Sequence, residues 1–143
     1  MTGQPPGNGD QDAVDDIKDM RTALAAFPNL NDYGFGVYDA HRKTQVARIA
    51  EIDASRATML GPQSVAVFRA MRNWLRQWSK TRLTHKTVSS YGLKHVAEHD
   101  VGYATNGVFI AAAFAEGFQI QRDGPNARIN ISLRAWTRRD ARA

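Results

Sequence analysis

Residues His95, Glu98 and His99 read H-x-x-E-H, the inverzincin spacing that sets two imidazoles one helical turn apart on either side of a carboxylate. A zinc site of that kind needs a further carboxylate from a distant segment and a broad substrate cleft. Only 44 residues follow His99, and Glu116 is their one glutamate. His41 and His85 have no partner at a ligand or triad spacing. The chain has no cysteine, which excludes disulfides, thiolate catalysis and cysteine-ligated metal centres. It carries no Walker loop, no G-x-G-x-x-G turn and no G-x-S-x-G elbow, and the GFGVYD stretch at 34–39 is too short and differently spaced to replace one. The expectation is a protein without catalytic residues, metal or cofactor.

Cations offer a second chemistry. The net charge is +5 over 143 residues, but it is divided unevenly: residues 1–60 sum to −3 and residues 61–143 to +8. A basic half points to a polyanionic partner, because each Lys or Arg that meets a phosphate releases condensed counterions. The candidate phosphate contacts are Lys86, Ser90 and Lys94, then Arg122 and Arg128, then Arg134, Arg138 and Arg139 near the C-terminus. Arg69, Arg72 and Arg76 recur at helical spacing, where a solvated helix face competes with a binding ridge. Composition is that of an ordinary globular domain with tails, 43% hydrophobic and 23% charged. With no apolar run of membrane-spanning length and no signal-like start, a cytoplasmic location without membrane association is expected.

These residues must be held by a small set of elements. Residues 1–10 are Gly, Pro and polar, a disordered leader. Val14, Ile17, Met20, Leu24 and Phe27 recur at steps of three and four and predict a helix over 12–27, with acidic residues in its first turns. Pro28 and Asn29–Gly34 break it. Over 35–59 a hairpin and a helix compete, and a helix over 41–58 is favoured. From Pro62 a strong stripe of Val65, Phe68, Met71, Trp74, Leu75 and Trp78 predicts a second long helix. A short helix over 89–99 follows, with Tyr91, Leu93, Val96 and Ala97 as its buried candidates and Gly102 ending it. A further helix starts at Thr105 or Asn106, carries Phe109, Ile110, Ala113 and Phe114, and stops at Gly117. Residues 118–122 and 127–132 alternate around Asp-Gly-Pro-Asn as a β-hairpin.

Helix, short helix, turn, helix, hairpin is the order of a winged helix-turn-helix domain, and the chain resembles such DNA-binding proteins. Gly102 falls in the turn, with Ala97, Val101, Tyr103, Val108 and Ala111 at its apolar positions; Glu98 departs from the pattern, which prefers a small residue there. The fold expected is mainly α (α+β), with a leader at 1–10, a helical N-terminal extension at 11–60, a winged-helix domain at 61–133 and a basic tail at 134–143. The stretch SYGLKH followed by NGxFIAAAxxxGF also resembles small uncharacterised proteins carried by phages and plasmids, which implies a mobile-element origin more than an activity.

The reading that results is a non-enzymatic protein binding double-stranded DNA, a transcription regulator or accessory factor of a mobile element. The start of the third helix would enter a groove through Thr105 and Asn106, and the N-terminal helices would form a homodimer or recruit a partner. One feature opposes it: no Lys or Arg lies between Ala104 and Glu116, so backbone contacts would dominate. An uncharged, alanine-rich helix suits a partner protein better, and the alternative is therefore a phage- or plasmid-encoded inhibitor or adaptor of a host complex. Tyr91 and Tyr103 could stack on bases, but their apolar-periodic positions favour the core or its rim.

Overall fold

Apolar residues at every third or fourth position draw α1 (Asn8–Ala26) into a helix whose inner side, Met20, Ala23 and Leu24, is buried. Val14, on the expected stripe, stays exposed. The structure is a computed structural model and describes residues 8–84, 88–132 and 134, so Lys86, Arg138 and Arg139 lie outside the described residues. After Pro28 the chain turns through β1 (Leu30–Asn31) and β2 (Gly34–Phe35), a tight antiparallel pair with Leu30 opposite Phe35.

A 3-10 turn at Ala40–Arg42 leads to α2 (Gln45–Met59), where the helix reading of this stretch holds. Thr44 caps it by accepting from the Ala47 amide at 3.1 Å. Most of α2 is exposed, Val46 and Ile49 included, yet its C-terminal end is tied firmly to the body. Arg56 donates to the carbonyls of Leu24 (2.8 Å) and Phe27 (2.9 Å), acceptors that the end of α1 leaves without helical partners, and to that of Leu30 in β1 (3.0 Å). Ser55 Oγ accepts from the Asp32 amide at 2.8 Å.

Pro62 opens α3 (Pro62–Leu75), which buries Val65, Phe68, Met71, Trp74 and Leu75. α4 (Ser90–Val101) is capped by Ser89 and ended by Gly102 at φ +95°, a conformation that favours glycine. Then comes α5 (Asn106–Ala115), capped by Thr105, in which every residue from Asn106 through Ala113 is buried. A helix apolar all round belongs inside a protein. α1, α3, α4 and both hairpins pack around it. The second hairpin, β3 (Ile120–Asp123) with β4 (Asn126–Ile129), turns through Gly124-Pro125 with Gly124 at φ +60°. Ala127, Ile129 and Ile131 face the core.

The described chain is thus mainly helical with two small antiparallel hairpins, an α+β arrangement. Met20, Leu24, Leu30 and Phe35 join Phe68, Trp74, Phe109 and Ile129 in one buried cluster, so the first sixty residues share the core of the rest. No described helix is long and apolar enough to cross a membrane.

Candidate interaction cleft

The start of α5 is a polar knot. Asn106, 6% exposed, accepts from Ser90 Oγ at 2.9 Å and donates through Nδ2 to Asn126 Oδ1 (2.9 Å), the Tyr33 carbonyl (3.2 Å) and the Pro125 carbonyl (3.3 Å). Ser90 Oγ in turn accepts from the Ala127 amide at 3.0 Å. Two buried side chains therefore fasten α4 and α5 to the tips of both hairpins. Gly107 permits this closeness: a Cβ there would lie 1.7 Å from the Asn31 carbonyl oxygen. Thr105 donates to Asp32 Oδ1 at 2.8 Å while accepting from the Val108 amide.

Glu98 closes the turn between α4 and α5. Its carboxylate accepts from the Ala104 amide (3.0 Å) and from Lys94 Nζ (3.2 Å), with His95 Nδ1 3.0 Å away. Burial pushes the Glu98 pKa up, but the Ala104 amide, Lys94 and His95 together hold it below its ordinary value. The residue that departs from the helix-turn-helix pattern is the one that fixes this turn. Within the H-x-x-E-H spacing His95 is turned to Glu98 at 3.0 Å, and among the described residues no three His, Asp or Glu side chains gather as metal ligands.

Above this floor lies an open cleft of about 660 Å³, bounded by β1–β2, α4, the start of α5 and the tip of β3–β4. Tyr33, Tyr91 and Tyr103 stand on its rim, all exposed, Tyr103 at 75%. Tyr91, an expected core residue of α4, is on the outer face instead, because Leu93 and Ala97 fill the inner one. Lys94 is 4% exposed, with its ammonium 5.1 Å from the Tyr91 ring centre and 5.6 Å from that of Tyr103. His95 packs edge-on against Tyr91 at 4.4 Å.

The structure thus gathers four expected phosphate-contacting or base-reading residues, Ser90, Lys94, Thr105 and Asn106, but gives each a partner within the protein: Ser90 and Asn106 bond each other, Lys94 bonds Glu98 and Thr105 bonds Asp32. Ser90, Lys94 and Asn106 are buried and hydrogen-bonded within the protein, so their side chains are not offered to a groove. The helix expected to face DNA is the centre of the core. Arg122 and Arg128 do lie on the second hairpin: Arg122 is exposed and stacks 5.2 Å from the Phe35 ring, and Arg128 pairs with Asp123 at 3.2 Å. Arg134 is exposed.

Arg69 and Arg76 stay partly in solvent, as a solvated face would have them, but Arg72 is largely enclosed and all three are paired with carboxylates. Arg69 meets Asp16 at 2.6 Å, Arg72 meets Asp19 and Glu116 at 2.7 Å each, and Arg76 meets Glu116 at 2.7 Å. Burial works to lower the Arg72 pKa and to raise that of Glu116, but the paired charges prevail, so Arg72 is raised and Glu116 lowered. Sequence reasoning missed the cleft's Tyr33 and Asp32, which sit on a two-residue turn with no periodic signal. Comparison with protein-family models, curated proteins and solved structures returns no match.

Proposed function

We propose that this chain is a non-enzymatic interaction module, an adaptor or inhibitor carried by a mobile element, which docks on a partner protein through the tyrosine-rimmed cleft. The observation that carries this reading is the convergence of Tyr33, Tyr91 and Tyr103, from three separate segments, around one cleft whose polar floor is internally satisfied. Tyrosine supplies large contact area at small entropic cost and is enriched at protein interfaces, while a satisfied floor holds the rim in one geometry. The stretch SYGLKH followed by NGxFIAAA, which resembles mobile-element proteins, supplies Tyr91, Lys94, His95 and Asn106 to the same place. A photocrosslinking benzoylphenylalanine in place of Tyr103 should capture one discrete partner in the host, and the same group in place of the distant, exposed Val14 should not. Equal capture at both positions would refute the reading.

A second reading, a winged helix binding double-stranded DNA as a transcription regulator, has the order of α3, α4, α5 and β3–β4 in its favour, together with the exposed Arg122 and Arg134. With α5 inside the core, such binding would run through the hairpin to phosphates and discriminate little between sequences. Fluorescence anisotropy with random duplex DNA at two salt concentrations separates the two. Steeply salt-dependent binding that is lost in the Arg122→Ala, Arg128→Ala double variant and kept in Tyr103→Ala would select DNA over the cleft.

A further inference from the structure

The start of α5 has few N–H groups left for an anion. The Ala104 amide donates to Glu98, the Gly107 amide to the Asp32 carbonyl (3.1 Å), the Val108 amide to Thr105 Oγ1 (3.2 Å) and the Phe109 amide to the Thr105 carbonyl (3.1 Å). The one lysine in the cleft is buried and neutralised by Glu98. Asp32, by contrast, accepts one hydrogen bond from Thr105 and makes no ion pair among the described residues. The cleft therefore sets the carboxylates of Asp32 and Glu98 against the Lys94 ammonium, with His95, turned to Glu98 at 3.0 Å, as its other basic group. Its aromatic walls already show which charge they accept, since the Lys94 ammonium lies against Tyr91 and Tyr103.

We infer that the cleft takes a cationic side chain, the guanidinium of an arginine on a partner segment, seated among the exposed tyrosine rings with its charge against Asp32. This rests on the docking reading and names the chemistry of the occupant. A guanidinium is planar and weakly hydrated, so it can stack on a tyrosine ring and donate to a carboxylate at the same time. A phosphate or an acidic peptide would meet Asp32 and Glu98, while the basic groups of the cleft, Lys94 and His95, are already turned to Glu98.

The test uses the full chain. A random twelve-residue peptide library is selected on the wild-type protein, with excess Tyr103→Ala protein in solution to remove peptides that do not need the cleft. The expected survivors share an arginine. Replacing it by citrulline, which keeps the shape and removes the charge, should weaken binding at least tenfold, and Asp32→Asn should do the same, since its amide oxygen can still accept from Thr105. If Asp32→Asn fails to fold, the citrulline comparison decides. Survivors with an acidic or uncharged anchor, or a citrulline peptide that binds as well as its parent, would overturn the arginine occupant and leave the docking reading standing. An absence of survivors would overturn both.

Discussion

The seam between α1 and α3 and the cleft at the start of α5 both gather polar side chains, and they differ in what each leaves outward. At the seam, Arg69 and Arg72 reach Asp16 and Asp19 and so join the basic half of the chain to the acidic half, while Arg72 and Arg76 share Glu116 within the basic half. At the cleft, the buried polar atoms satisfy one another and neutral tyrosines face solvent. Charge counted along a sequence can thus be an internal adhesive, while the proposed docking surface hardly registers in the count. The difference also predicts opposite responses to mutation: the seam and the cleft floor should respond in stability, the cleft rim in binding alone.

The largest effect is expected at the floor. Gly107→Ala drives a Cβ into the Asn31 carbonyl, a backbone group with no rotamer to move, and should cost more than about 3 kcal/mol or abolish cooperative unfolding in urea. Asn106→Ala strands the Ser90 hydroxyl and the Asn126 side chain and should cost about 3 kcal/mol; a loss below about 1 kcal/mol would show that the floor is not what holds the rim. At the seam, Arg72→Met keeps much of the side-chain volume and removes the charge shared by Asp16, Asp19 and Glu116, for a loss of about 2 kcal/mol.

The seam should also be sensitive to acid. Glu116 has a lowered folded pKa, so its contribution is complete above the ordinary glutamate value near 4.5 and is lost as pH falls through the folded value. The stability difference between wild type and Glu116→Gln should therefore shrink from about pH 6 to about pH 3. A gap that widened toward acid would reverse the assignment. Smallest is Tyr103→Ala, expected to shift stability by less than about 0.5 kcal/mol while removing partner capture, because the ring is largely in water. A large stability loss there would erase the distinction between floor and rim.

The helices were legible because each announces its period: Met20 to Leu24, Val65 to Leu75 and Phe109 to Ala113 fall where the stripes put them. The hairpin around Gly124-Pro125 was legible from its turn residues, although its paired strands are shorter than the alternation suggested. What periodicity could not supply was the third dimension. The lack of charge in α5, an objection to DNA reading, was the sign of a helix enclosed on every side. Asn106-Gly107 opens α5 against Asn31, Asp32 and Tyr33, residues far away in sequence on a short strand and its turn that carry no repeat. The cleft forms only where those segments meet.

The enclosure of α5 has a consequence for how the protein is made. The packing of α1 against α5 forms only after Phe109 and Ile110 have been synthesised, and β4 closes the far side later still. An otherwise helical domain therefore depends on contacts between residues distant in sequence, which slows folding relative to a simple helical bundle. Until Ile131 has left the ribosome, α5, the most apolar of the described helices, has no complete cover. That interval is when aggregation or capture by a chaperone would compete with folding.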